Sequence, residues 1–192
     1  MEQEFSLLKD EDIARQVQFG QIDSFNILIN RYEKRMKNYA RNFLSDREDV
    51  NDVLQEIFLK AYKNIKSFDA DRKFSSWLYR IAHNEFVNVL KKRNKKTLPL
   101  FDLDVFFPQY AKDGKDLTEE IDQKKMQEII GKFTNKLEQK YREPIILYYF
   151  EDLSYKEISD VMQIPVSTVG IRIKRAKEVL KLVCQKEGII YE

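Results

Sequence analysis

The sequence predicts an all-α chain, two small helical domains joined by a flexible linker, with a helix-turn-helix in the C-terminal one. Three observations carry that expectation. Glycine and proline are scarce, five and four in 192 residues, so long stretches run without a breaker. Apolar residues recur every three to four positions, the helical spacing. Two such patterns flank "QIP" at Gln163–Pro165, close enough for a tight turn between two helices.

Hydrophobic residues make up 43% of the chain and charged residues 34%. A core can therefore be buried beneath a densely charged surface. Lys and Arg outnumber Asp and Glu by only 34 to 32, so net charge is uninformative and its distribution matters more. Asp46, Glu48, Asp49, Asp52 and Glu56 cluster against Arg47 alone. Arg72, Lys73, Arg80, Lys91, Lys92, Arg93, Lys95 and Lys96 follow against Glu85 alone. A second basic stretch holds Arg172, Lys174, Arg175, Lys177, Lys181 and Lys186 against Glu178. One acidic surface and two basic ones imply two kinds of partner.

Cys184 is the single cysteine and His83 the single histidine. An intrachain disulfide is excluded, and a zinc site of the usual His/Cys type is not expected. No apolar run approaches the roughly 18 residues of a membrane span, and "MEQEFSLLKDED" is unlike a signal peptide. No membrane insertion is expected, and a cytoplasmic location is.

The first helical block runs from about Ile13 to Asn94. Within "DREDVNDVLQEIFLKAYKNI", Val50, Val53, Leu54, Ile57, Phe58, Ala61 and Ile65 fall on one broad stripe, the core side. Asp52, Gln55, Glu56, Leu59 and Lys63 point outward. A leucine ringed by acids fits a basic, partly apolar partner protein, though a solvated helix face has the same pattern. In "FDADRKFSSWLYRIAHNEFVNVLKKRNK" the buried side is expected at Phe74, Trp77, Leu78, Ile81, Ala82 and Val89. Ser76, Arg80, His83, Asn84, Val87 and Lys91 point away. That mixed face, ending in a basic run, suits phosphates and unstacked bases of single-stranded DNA. Trp77 invites base stacking, but its place on the core stripe favours packing. No partner at plausible spacing supports acid–base chemistry at His83, and no catalytic residue is expected.

"TLPLFDLDVFFPQYAKDGKD" then breaks the periodicity with two prolines and a glycine, which reads as a linker. The resulting division is 1–96, a linker at 97–119, and 120–192. In the last block Ser154 and Glu157 form the S-x-x-E of a capping box, followed by an apolar face at Ile158, Val161 and Met162. Pro165 has a φ suited to a helix start. Val169, Ile173, Ala176, Leu180 and Val183 form the seam of the next helix. Ser167, Ile171, Lys174, Arg175 and Glu178 lie opposite, at about 100° per residue. A dry seam behind and cations in front suit a DNA major groove. Ile171, central on that outer face, matches a thymine methyl.

"DVNDVLQEIFLKAY", "FSSWLYRIAHN" and "LEQKYREPIILYYFEDLSYKEISDVMQIPVSTVGIRIKRAKEVLK" together resemble RNA polymerase sigma factors of the extracytoplasmic-function type, within the sigma-70 family. The resemblance implies that 1–96 is a region 2-like domain and 120–192 a region 4-like domain. Asp52, Gln55, Glu56 and Leu59 would bind core RNA polymerase at the clamp helices of its largest subunit, with the flap as a further contact. Arg72, Lys73, Ser76, Arg80, His83, Asn84 and Lys91 would recognise and melt the −10 element. Ser167, Thr168, Ile171, Arg172, Lys174 and Arg175 would read the −35 element of promoter DNA. It also implies an anti-sigma factor as partner, a monomer when free, and no cofactor or metal. Asn51, Asn88, Lys91, Pro144, Gln163, Gly170 and Ile171 depart from the usual family pattern. Two other readings remain: a dimeric helix-turn-helix repressor, which leaves the acidic helix unassigned, and a nucleic-acid enzyme, for which no nucleophile, metal cluster or phosphate loop is present.

Overall fold

The computed structural model describes residues 8–44, 46–93 and 123–189. Every regular element among them is helical. The chain divides into two compact units, Met1–Lys96 and Thr97–Glu192. The expected linker at 97–119 lies outside the described residues.

Among the described residues the first unit has four α-helices. Helix α1 spans Asp10–Gln18, α2 Phe25–Ala40, α3 Arg47–Asn64 and α4 Phe74–Arg93. Asp10, Glu11 and Asp12 occupy the first turn of α1, where carboxylates meet the positive end of the helix dipole. α2 buries Phe25, Leu28, Tyr32, Met36 and Tyr39 along one stripe. Asp46 caps α3, its carboxylate accepting the Glu48 amide at 2.7 Å, and so satisfies a donor the helix leaves unpaired. Val50, Val53, Leu54, Ile57, Ala61 and Ile65 are buried as the periodicity predicts, and Phe58 is half-buried.

α4 is buried over a wider arc than its pattern suggests. Phe74, Leu78 and Ala82 are inside, but so are Tyr79 and Phe86, which the expected stripe omitted. The reason is an aromatic cluster: Phe86 stacks on Phe43 at 4.7 Å and meets Tyr39 edge-on at 5.3 Å, and Tyr79 meets Tyr39 at 5.1 Å. Trp77, Ile81 and Val89 are only half-buried. Trp77 packs against Phe68 at 5.1 Å and Phe74 at 5.5 Å, so its ring is held in protein contacts.

The second unit comprises α5 Gln123–Phe133, α6 Gln139–Tyr149, α7 Tyr155–Met162 and α8 Val166–Lys186. Pro144 stands inside α6 rather than ending it. Ile145 and Leu147, just after it, are fully buried, and tertiary burial of this kind offsets the hydrogen bond that proline removes. The capping box of α7 forms as expected, with the Glu157 carboxylate 2.7 Å from the Ser154 amide. α7 ends at Gln163 in the left-handed region, φ 55°, where glycine is the easier residue. Its amide donates to the Asp160 carbonyl at 2.7 Å, which helps hold the strained turn. Pro165 caps α8 with φ −57°. The seam of α8 holds Val169, Ile173, Ala176 and Leu180, then passes to Cys184, leaving Val183 half-buried. Burial also pushes the Cys184 thiol pKa up, so this cysteine is packing material.

Candidate core-binding and nucleic-acid surfaces

On α3 the structure brings Asp52, Gln55, Glu56 and Leu59 to one exposed face. Leu59 is 44% exposed, a large apolar side chain left uncovered among polar neighbours. Lys60 borders this face and donates to Glu85 on α4 at 2.7 Å, with Glu56 3.5 Å away. The Glu85 bond raises the Lys60 pKa, so the ammonium stays charged and ties α3 to α4. One cation is thus committed within the unit, while Asp52, Glu56 and Lys63 stay exposed on α3 beside Leu59.

The second surface is the loop before α4 together with the outer side of that helix. Arg72 and Lys73 are exposed in the loop, and Arg80, Asn84 and Lys91 are exposed along α4, with His83 half-buried beside them. From Arg80 to Lys91 the row is about 16 Å long at the helical rise, enough to track several nucleotides. Ser76 departs from the expectation. Its hydroxyl is buried and has no hydrogen-bond partner among the described residues, because the first turn of α4 is rotated into the Phe68–Phe74–Trp77 cluster. Beside the loop lies a cleft of about 320 Å³ lined by Lys9, Glu11, Asp12 and Arg15 from the α1 side and by residues 70–73 from the loop. The α1 side chains were absent from the sequence-derived site. Nothing local signals them, since the bonds of Arg15 and Glu11 to this segment span 55 to 63 residues of chain.

The third surface is α8. Ser167, Lys174 and Arg175 are exposed and Ile171 is half-buried. Arg175 donates from its guanidinium to the Tyr141 hydroxyl at 3.2 Å, which holds one nitrogen of its head group. Val166 adds an exposed apolar side chain at the start of the helix. Thr168 and Arg172 do not join this face. They are 3% and 6% exposed. At about 100° per residue Arg172 lies about 40° beyond Ala176, on the flank of the seam, whereas Thr168 lies only about 20° from exposed Arg175, so phase does not account for its burial. Gly170 sits over the Tyr155 ring, where an added Cβ would lie 3.6 Å from the ring edge.

No helix among the described residues is long and apolar enough to cross a membrane, and they contain no cluster of metal-ligating side chains.

The arrangement matches known proteins over most of the chain. The family model for Sigma-70 region 2 matches residues 28–96, and that for Sigma-70, region 4 matches residues 127–180. The ECF RNA polymerase sigma factor SigW of Bacillus subtilis (strain 168) is 34% identical over 174 residues, covering 87% of this chain and 92% of that protein. The ECF RNA polymerase sigma-E factor of Escherichia coli (strain K12) is 33% identical over 179 residues, covering 90% and 93%. Among solved structures, CnrH in complex with the cytosolic domain of CnrY superimposes with a TM-score of 0.65 at 25% identity, covering 92% of this chain and 97% of that one. An acidic helix with an exposed leucine, a basic loop-and-helix surface and a helix-turn-helix thus occur in a chain related along nearly its whole length to these proteins. The chain belongs to the extracytoplasmic-function group of the sigma-70 family, and is a non-enzymatic sigma factor that directs promoter-specific transcription initiation.

Proposed function

We propose that three surfaces divide this work. The α3 face, Asp52, Gln55, Glu56 and Leu59, docks on the clamp helices of core RNA polymerase. The loop before α4 and its outer side, Arg72, Lys73, Arg80, His83, Asn84 and Lys91, capture the −10 element as it melts. The exposed part of α8, Ser167, Ile171, Lys174 and Arg175, reads the −35 duplex. Ser76, Thr168 and Arg172 serve these surfaces from inside, as packing. On this division 1–96 is the core-binding and melting domain, 97–119 the linker, and 120–192 the −35 domain, which also meets the flap.

The observation that carries the reading is the segregation of charge onto separate helix faces, acidic on α3 and basic on α4 and α8. An acidic face repels DNA and suits a basic protein surface, whereas the basic faces attract phosphate. Free energy for melting comes from base capture and phosphate contacts, and no bound cofactor is required. CnrH is solved with a second protein, the cytosolic domain of CnrY. A comparable protein partner for this chain, an anti-sigma factor, would cover the same surfaces and hold it inactive.

Two predictions test the DNA faces. Asn84→Ala removes an exposed amide without touching the core, so open-complex yield should fall while core affinity stays at the parent value. Permanganate footprinting of the −10 region checks it, and equal reactivity in mutant and parent would exclude Asn84 from melting. Ile171→Ser should change which −35 bases are preferred, because base-edge contacts specify and are worth about 1–3 kcal/mol each. Lys174→Ala should weaken all −35 sequences alike, as expected for a phosphate contact. Binding to a library of −35 duplexes distinguishes the two, and an unaltered preference profile for Ile171→Ser would remove that residue from base reading.

A further inference from the structure

We infer that α1 is a positioning element for the −10 loop, and that Gln18 and Arg15 act as its positioning residues. The inference rests on the reading of residues 68–75 as the −10 loop. That loop exposes Asp69, Asp71, Arg72 and Lys73 and buries only Phe68 and Phe74, near its ends. A segment with so little apolar burial of its own needs its backbone fixed from elsewhere.

α1 provides the fixing with one stripe of side chains, spaced four and three residues apart. Glu11 accepts the Phe74 amide at 2.8 Å and so caps α4 from another helix. Arg15 donates to the Ala70 carbonyl at 3.3 Å and to the Asp71 carboxylate at 3.1 Å. Gln18 donates to two backbone carbonyls, Ile65 and Phe68, both at 2.8 Å. The backbone is therefore held at 65, 68, 70 and 74, while Asp71, Arg72 and Lys73 stay exposed to solvent. An amide with two N–H donors is the residue type this geometry demands.

α1 is itself anchored. Ile13 and Ala14 are fully buried, and the Asp10 carboxylate accepts Arg31 and the Tyr32 hydroxyl, both at 2.5 Å. Burial, reinforced by Asp10, pushes the Tyr32 pKa far up, which keeps the phenol a donor. Tyr32 also meets the Phe74 ring at 5.6 Å, so α1, α2 and the loop form one bracket. α1 lies N-terminal to the segment that the region 2 model matches, and no surface assigned above contains it.

The test uses holoenzyme assembled from the full chain and core polymerase. Its binding to single-stranded non-template −10 oligonucleotides, with each base varied in turn, gives a preference spread between best and worst base. Gln18→Glu keeps the size of the side chain and puts a carboxylate against two carbonyls. Arg15→Ala removes the second tie from an exposed position and guards against misfolding of the first variant. Both should shrink the preference spread, Gln18→Glu by about thirtyfold, the amount two ordinary hydrogen bonds hold. Affinity for core polymerase and for −35 duplex should not change, which a general loss of structure would not allow. Lys73→Ala serves as the control for the loop itself. If Lys73→Ala weakens oligonucleotide binding while both α1 variants keep the parent spread, the positioning role is wrong and the loop reading stands. If Lys73→Ala also leaves binding unchanged, the loop reading falls and the positioning role with it.

Discussion

Leu59→Asp is expected to cost this protein most of its affinity for core polymerase while leaving its fold intact. Leu59 is already 56% covered by its own unit, as its 44% exposure implies. Burying the rest contributes about 1 kcal/mol on the scale for a leucine. An aspartate in its place adds the cost of desolvating a carboxylate at a contact shaped for a methyl group, another 1 kcal/mol or more. The total, about 2 kcal/mol, corresponds to roughly thirtyfold in affinity. No core residue changes, because Ile57, Ala61 and Leu54 keep their contacts on the other side of α3. Association with core polymerase and far-ultraviolet circular dichroism should be measured side by side. Parent-like association in a fully helical mutant would discard α3 as the docking helix.

Phe86→Ala should have the largest effect on stability. The ring is fully buried between Phe43 and Tyr39, and removing such a ring costs about 3–5 kcal/mol through lost transfer energy and the cavity left behind. The chain carries its own reporters for this test. Trp77, the single tryptophan, packs in the first unit, and Cys184, the single cysteine, is buried in the second. In a urea titration the tryptophan transition should move to lower denaturant. Protection of Cys184 from a thiol reagent in the same titration reports the second unit separately. An unchanged tryptophan midpoint would mean that the aromatic cluster does not hold α4 in place. The same variant should also lose −10 binding, because α4 carries the surface proposed for it.

The sequence made some of this legible and hid the rest for physical reasons. Scarce glycine and proline and a sustained helical period were enough for the all-α class. The α3 face was readable because charge and phase agree there: the acids and Leu59 fall where the apolar stripe does not. On α8 they disagree. Arg172 is basic and sits in a basic stretch, but its angular position puts it on the flank of the seam, where it is buried. Thr168 shares its phase with exposed Arg175 to within about 20°, so its burial comes from tertiary packing that the period does not show. Tyr79 and Phe86 were missed because their rings pack on Tyr39 of α2 and on Phe43 just after it, so a narrow stripe underestimates the core side of α4. The ties between α1 and the loop left no local trace at all, since the hydrogen bonds that Glu11 accepts and that Arg15 and Gln18 donate join partners that only the tertiary fold brings near.

The most direct test of the three-surface account places a photo-crosslinking amino acid at Gln55, Asn84 and Lys174, one at a time, in holoenzyme bound to a promoter it transcribes. All three positions are exposed, so substitution should leave the fold undisturbed. The account predicts that position 55 crosslinks to the largest polymerase subunit, position 84 to the non-template strand at −10, and position 174 to the −35 duplex. Crosslinks from position 55 to DNA, or from position 84 to polymerase alone, would contradict it.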